Sequence, residues 1–571
     1  MYLNESLKVA HRFVLRNFSF LVTMLLLNLP VLTIRQTFGK ALHYFLYMCF
    51  AMTCLAAVIE LLPRTKARNM VQRTLIGLSV MLLIINLYFA YYYGGFPDQA
   101  IIEVLLATTA AEVWGYVKAN LLDGRLYVVV MAGLVLFYGI ERQIIRLKRK
   151  PSWVGALSVL LIGAGIFTTA NIIKDIIKHK DKTLRSLTYQ SCSVISTGKQ
   201  LCDAVENMQK FTQMMNGGTS HPAISSNEST IPYVVYILGE STSRHHLGLY
   251  GYHLDTTPCM SALEENGELY KFTDVISPNS STIPVLEKLF TFYRKGAKGD
   301  WYQYTDLFSI LNVAGYHTVW LSNQEYTGIY GYAGRFYAER CKVSAFTQLR
   351  NSESATIQAP FDEALLPLLD RELRKAAKKN FIVVHLYGTH QHYKDRYPAT
   401  FRAFTPDEEE GESSRIRQTR AEYDTAIRYN DSIINAIIRR FERKNAIVIY
   451  APDHAEDVLH VNKKIAGHGE IGVNRFMVEI PMMIYTSKKF REAYPDLDRR
   501  MCQAVNRPFM TDDMIHALLD LMQIKTPGYK PAYSVFNQQY NAARIRYCGG
   551  KPYRKKRLCK AGCSACSPRN K

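Results

Sequence analysis

The first 175 residues alternate long apolar runs with short basic segments: no Asp, Glu, Lys or Arg occurs in 17–34, 41–59, 74–97, 126–140 or 151–173. Most of these runs approach the ~20 residues that cross a bilayer core, so the pattern predicts five transmembrane helices. The fourth is the shortest, but Arg125 and Glu141 at its ends can snorkel outward. No A-x-A-like cleavage site follows the first run, which argues against a cleaved signal peptide. Between the third and fourth runs, 101–114 carries apolar residues at helical spacing and either lies along the membrane surface or packs between helices.

Beyond residue 230 the pattern changes. Short apolar, β-rich runs at 233–238, 317–321, 381–386, 446–450 and 482–485 are separated by amphipathic stretches such as 361–378 and 415–440. That alternation predicts an α/β domain with a mainly parallel central sheet. The expected layout is a transmembrane domain over 1–175, with an amphipathic segment near 101–122, then a polar linker over 176–230 that includes helical turns and Gly217-Gly218. A catalytic domain over 231–543 and a basic, Cys-containing tail over 544–571 complete it.

Charge orients this layout. Lys8, Arg12 and Arg16 precede the first span, Arg64, Lys66, Arg68 and Arg73 join the second and third, and Arg142, Arg146, Lys148, Arg149 and Lys150 join the fourth and fifth. Basic loops favour the cytoplasm, so the amino terminus is expected there and everything after the fifth span outside it. The chain of 571 residues has a net charge of +21, and ten Lys or Arg with no acid lie in 544–571. Beside a membrane anchor, such a tail suits anionic headgroups or a phosphorylated glycolipid rather than nucleic acid, the alternative being a solvated end. Nine of the eleven cysteines follow the fifth span, as an oxidising compartment permits. Cys192 and Cys202 could pair locally, and Cys548, Cys559, Cys563 and Cys566 read as disulfide partners rather than a zinc knuckle.

In sheets of this type ligands gather at the carboxyl ends of the strands. There the chain carries Gly239-Glu240-Ser241-Thr242, Tyr387-Gly388-Thr389-His390-Gln391-His392 and Ala451-Pro452-Asp453-His454-Ala455-Glu456. Carboxylates and imidazoles converging from three strand ends make an oxygen and nitrogen shell for zinc or a similar divalent ion. Ser280, Ser281 and Thr282 stand side by side just before Pro284, which suits a first helical turn and puts Thr282 at or next to an N-cap. Its hydroxyl would sit in the positive field of the helix end. Any of the three hydroxyls could be a nucleophile, with capping as the plain structural alternative.

The run from Val234 through Glu240 to Gly251, with Thr256-Thr257-Pro258, Thr282, Gly388-Thr389-His390 and Asp453-His454, resembles the phosphoethanolamine transferases of Gram-negative envelopes. These belong to the alkaline phosphatase and sulfatase superfamily. The resemblance implies zinc at Glu240, Asp453, His454 and the nucleophile Thr282, with a second ion as an open question. It also implies His390 and His468 as catalytic or phosphate-binding histidines, Asn323 beside them in the substrate site, and Glu456 either on a second ion or orienting His454. The implied reaction moves phosphoethanolamine from phosphatidylethanolamine to lipopolysaccharide through a covalent intermediate at the bacterial inner membrane, with the catalytic domain periplasmic. The 279–283 segment resembles the branch that modifies the inner core. The lipid A branch brackets its nucleophile with cysteines, where this chain has Ser277-Pro278 and Pro284-Val285. A lipid A transferase, a membrane sulfatase or phosphodiesterase releasing its group to water, and a non-catalytic envelope scaffold remain the alternatives.

Overall fold

The computed structural model describes residues 2–35, 38–93, 96–97, 102, 124–148, 150–178, 182–190, 192–215, 222–325, 331–348 and 360–554. Apart from 106–115, the chain divides into two compact units, one within the first 209 residues and one from 210 onward.

The first unit is helical: α1 (Tyr2–Arg35), α2 (Phe38–Glu60), α3 (Thr65–Tyr93), α4 (Gly124–Lys148), α5 (Pro151–Ile177), α6 (Lys182–Gln190) and α7 (Ser193–Met215). Among the described residues four stretches, Lys8–Leu32, Ala41–Glu60, Thr65–Tyr92 and Pro151–Ile177, are long and apolar enough to cross a membrane. The fourth expected span, 126–140, is helical within α4, although most of its side chains lie outside the described set. The expected surface segment near 101–122 is likewise outside it, apart from Ile102. Phe18, Leu21 and Met24 of α1, Met48 and Met52 of α2, and Leu161 and Ala164 of α5 form a shared buried core. Asn17 ties three helices together, its amide donating to Glu60 at 3.0 Å and its carbonyl accepting from Gln72 at 3.0 Å.

The 176–230 stretch expected as a linker is largely α6 and α7, because Leu187, Val194 and Ile195 pack on that same core. Cys192 and Cys202 are both free thiols. Ten residues along a helix separate them by ~15 Å, far beyond disulfide reach.

The second unit is built on a seven-stranded sheet: β1 (Tyr233–Gly239), β2 (Leu269–Phe272), β3 (His317–Glu325), β4 (Val343–Gln348), β5 (Asn380–His385), β6 (Ala446–Pro452) and β7 (Met482–Thr486), in the order β2-β7-β6-β1-β5-β3-β4. Alternation along each strand divides its side chains between two cores. Val234, Tyr236 and Leu238 join one with Phe381, Val383, Ile447 and Ile449, while Val235 and Ile237 join the other with Ile382, Val384 and Val448. Both faces are therefore covered, which is why these strands read as continuous apolar runs. Each such fully buried side chain contributes ~1.5–3 kcal/mol.

The sheet is mixed rather than uniform. β6, β1, β5, β3 and β4 are mutually parallel, but β7 is antiparallel to both β6 and β2. The cause is the connection between β6 and β7: it carries only the four-residue helix Arg475–Val478 and no crossover helix that would return the chain to the opposite end. β7 therefore starts at the end where β6 stops. Three further helices are α8 (Thr282–Leu289), α9 (Leu365–Leu373) and α10 (Ser414–Arg439), of which α8 carries Thr282 and α10 carries Tyr423, whose hydroxyl donates to the Ser241 carbonyl at 2.7 Å. The expected helix 361–378 is shorter, a 3₁₀ turn at Asp362–Ala364 followed by α9.

The basic 544–571 stretch is divided. Its first part is built into this unit: Arg546 pairs with Asp274 at 2.9 Å, Arg544 grips Asp512 and Asp513, and the Tyr553 hydroxyl donates to Glu479 at 2.7 Å. Residues 555–571, with Cys559, Cys563 and Cys566, lie outside the described set.

Candidate active site

Parallel register generates the cluster. Gly239 ends β1 opposite Pro452 at the end of β6, so the next residues, Glu240 and Asp453, emerge side by side. Both are 1% exposed and His454 is fully buried. These three can offer ligand atoms all within 4.8 Å of one another. Thr282, the first residue of α8, brings its Oγ1 to 3.4 Å from both Glu240 carboxylate oxygens and 3.3 Å from His454 Nε2. Ser281 is the N-cap of that helix and its side chain makes no capping bond, so Thr282 sits next to the cap as its position before Pro284 predicts. The turn after β5 closes in from the other side. Gly388 has a left-handed φ of +54°, and a Cβ there would stand 2.9 Å from the Glu240 carbonyl oxygen, so the close approach requires glycine.

Protonation follows from these contacts. His454 Nδ1 faces the Ala455 carbonyl oxygen at 3.0 Å, which can only accept, so the proton sits on Nδ1 and the Nε2 lone pair points into the cluster. Burial, reinforced by His468, pushes His454 well below the usual histidine range and keeps it neutral. Burial and the neighbouring Asp453 push Glu240 up, and burial also pushes Asp453 up. Asp453 Oδ1 accepts from the His454 N–H at 2.7 Å and the Ser241 N–H at 3.3 Å, whereas Oδ2 is buried with no hydrogen-bond donor. Among the described residues neither carboxylate is ion-paired with a lysine or arginine. Two buried carboxylates, an orphaned oxygen and a neutral imidazole lone pair are what a divalent cation satisfies, and the oxygen and nitrogen donor set fits zinc.

Beside this cluster stands a histidine pair. His468 donates from Nδ1 to Glu456 Oε2 at 2.7 Å, and Glu456 Oε1 accepts from the Tyr393 hydroxyl at 2.6 Å. Glu456 therefore orients His468, and the Ala455 carbonyl, not Glu456, orients His454. The His468 and His454 rings are 4.1 Å apart between centroids, and those of His390 and His468 5.9 Å. Burial pulls His468 down but the Glu456 carboxylate outweighs it, leaving His468 above the usual range; burial and the charge of His468 push His390 well below it. His454, Glu456 and His468 also form a second group of ligand atoms within 4.8 Å.

Asn323 is not brought into this cluster. It is fully buried, and its amide donates to the Pro360 carbonyl and to Asp362, each at 2.8 Å. Asp362 in turn accepts the N–H groups of Tyr387 and Gly388, so Asn323 supports the turn packed against Glu240. Successive strand residues face opposite ways, and it is Gln324 whose amide lies 3.5 Å from Glu240 Oε2. Sequence reasoning missed Gln324, Tyr393 and Glu470. The last stands two residues after His468 in Gly467-His468-Gly469-Glu470.

Phosphoethanolamine transferase EptC of Escherichia coli K12 is 29% identical over 366 residues, 62% of each chain, so the match spans about three fifths of that relative's length. Phosphoethanolamine transferase CptA of Salmonella typhimurium is 27% identical over 494 residues, 82% of each chain. The crystal structure of the C-terminal periplasmic domain of Escherichia coli EptC in complex with zinc superposes with a TM-score of 0.52 at 28% identity, covering 58% of this chain and 94% of that one. The sulfatase family pattern matches residues 232–524, more than half of the sequence and the whole stretch that carries Glu240, Thr282, Asp453 and His454, and the chain belongs to that family.

Proposed function

We propose that the chain is a membrane-anchored phosphoethanolamine transferase. The observation that carries this is the Thr282 hydroxyl, 3.3 to 3.4 Å from His454 and Glu240 in a buried, cation-demanding cluster. The named transferases among its relatives support the group transferred. In this reading the donor is phosphatidylethanolamine and the acceptor lipopolysaccharide, at an inner-core sugar or its phosphate. The protein is a five-span inner-membrane protein with a cytoplasmic amino terminus and a periplasmic catalytic domain.

Glu240, Asp453, His454 and Thr282 would hold one zinc ion; a second at Glu456 and His468 would do without His454, whose one free lone pair serves the first, and would replace the protonated His468. Bound zinc would ease ionisation of the Thr282 hydroxyl and stabilise negative charge on the phosphoryl oxygens. Thr282 Oγ1 attacks the phosphorus of the donor, the bond to the diacylglycerol oxygen breaks, and the threonine proton ends on that oxygen. In the second step an acceptor hydroxyl oxygen attacks the same phosphorus, the bond from phosphorus to Thr282 Oγ1 breaks, and the proton given up by the acceptor returns to Oγ1. His468, held through Nδ1 by Glu456 and biased toward its charged form, suits proton donation to the leaving oxygen, and neutral His390 suits accepting a proton. A donor lying in the bilayer explains the anchor, since tethering raises the effective concentration of enzyme at its substrate.

Mass spectrometry of lipopolysaccharide from cells with and without the gene tests this reading. A difference of one phosphoethanolamine on the core is expected. Attachment to lipid A would move the acceptor, and free phosphoethanolamine with unmodified lipopolysaccharide would indicate hydrolysis.

A further inference from the structure

We infer that Glu470 is a positioning residue that sets the nucleophile loop for attack, an inference that rests on the proposed role of Thr282. Glu470 lies two residues beyond His468, and its carboxylate takes hydrogen bonds from each of the three residues preceding Thr282. Oε1 accepts from the Ser280 N–H and the Ser281 hydroxyl, both at 2.9 Å, and Oε2 accepts from the Asn279 amide at 2.9 Å. A fourth contact joins the same two strips, the Ser280 hydroxyl donating to the Gly469 carbonyl at 2.8 Å. Lys295 secures the upstream side by donating to the Pro278 carbonyl, and the Ser277 hydroxyl donates to the Asn279 carbonyl at 2.6 Å.

The chemistry of the acceptor makes this a brace rather than ordinary packing. An ionised carboxylate is acceptor-only, so it can receive all three donors at once. Hydrogen bonds to a charged acceptor are about twice as strong as neutral ones. The bonded residues end at Ser281, the N-cap of α8, so the carboxylate fixes the backbone from which Thr282 projects. Among the described residues Glu470 makes no hydrogen bond or ion pair to Glu240, Asp453 or His454; its bonds go to the nucleophile strip, and only its charge reaches His468. The His468 strip and the nucleophile strip are thereby fixed relative to each other, as a displacement between two distant sequence segments requires.

The test compares Glu470→Gln with the unsubstituted full-length protein, loaded with zinc and supplied with phosphatidylethanolamine in detergent micelles. Glutamine keeps the volume but turns an NH₂ toward donors that previously met oxygen. The rate of phosphoethanolamine adduct formation on Thr282 should fall by about tenfold to a hundredfold, with KM for the donor within about twofold, because misplacing a nucleophile costs rate rather than binding. Zinc per chain and Tm should match the unsubstituted protein. Ser281→Ala removes a single bond to the same carboxylate and should slow the adduct by only about twofold to fivefold. Combined with Glu470→Gln it should add almost nothing, the non-additivity expected of partners in one network. An unchanged rate in Glu470→Gln, a loss of rate that only tracks lost zinc or lowered Tm, or additive effects in the double variant would each overturn the brace while leaving Thr282 as nucleophile. Absence of any Thr282 adduct in the unsubstituted protein would overturn the proposed function and the brace with it.

Discussion

Thr282 Oγ1 and His454 Nε2 stand 3.3 Å apart at the carboxyl end of the sheet, one from the first turn of a helix and the other from the residue after Asp453. The imidazole presents a lone pair, because its other nitrogen is committed to the Ala455 carbonyl. A hydroxyl, a lone pair and two carboxylates that face one another, with no lysine or arginine paired to either carboxylate among the described residues, define the demand that metal fills. Asp453→Asn keeps the shape while removing one anionic ligand. Zinc measured per chain should drop, and transfer should fall with it by at least about a hundredfold. Full activity in metal-free buffer would show that Asp453 is no ligand.

Away from the cluster, Glu479 holds the acid stability of the catalytic unit. Burial alone would raise its pKa, but His245 at 2.6 Å, Arg244 at 2.7 Å and the Tyr553 hydroxyl at 2.7 Å together hold it well below the usual carboxylate range. A depressed folded pKa contributes stability above the unfolded value of about 4.3, and that stability is lost as pH falls through the acid range. Tm should therefore decline below about pH 5, and Glu479→Gln should flatten that decline while lowering Tm at pH 7 by at least about 4 °C. Calorimetry across pH 3–8 measures both, and an acid limb as steep in the variant as in the parent would rule Glu479 out as its source.

The basic carboxyl-terminal stretch separates into two roles. Arg544, Arg546 and Tyr553 are structural, joined to Asp512, Asp513, Asp274 and Glu479. Removing 555–571 keeps those four contacts and should raise the acceptor KM at low salt, a difference that added salt erases. Ending the chain at 543 should also lower Tm. Acceptor kinetics of the 555–571 deletion identical to the parent at every salt concentration would make that end dispensable.

Topology is tested independently of chemistry. The three basic segments near the ends of α1, α2 and α4 predict that a reporter active only in the periplasm works when fused after residue 554 and fails when fused before residue 2. Activity of a cytoplasmic reporter at the carboxyl end would require an even number of spans.

Much of the catalytic domain could be read from pattern because the strands are buried on both faces, and such strands announce themselves as apolar runs: 233–238 and 446–450 fall inside β1 and β6. Direction could not, since the run 482–485 looks the same whether β7 is parallel or antiparallel; only the absence of a crossover helix before it decides. The edge strand β2 has only four residues, too few for a period to stand out, and β4 mixes polar Ser344, Thr347 and Gln348 with apolar residues and so forms no apolar run. Glu240, Asp453 and His454 were legible as strand-end chemistry. Asn323 was not, because a shift of one residue along β3 exchanges it with Gln324 and only the fold fixes which side chain faces Glu240. Glu470 was hidden because its partners at 279–281 lie 189 to 191 residues away in the chain.

The nucleophile is the point on which the whole reading turns. Peptide mass spectrometry of the zinc-loaded protein, incubated with phosphatidylethanolamine and no acceptor, reports it directly. One phosphoethanolamine should be found on the peptide containing Thr282, localised to that residue. It should be absent from Thr282→Ala and still detectable in Ser280→Ala and Ser281→Ala. An adduct on Ser280 or Ser281 in the unsubstituted protein, or an unchanged adduct in Thr282→Ala, would contradict the assignment.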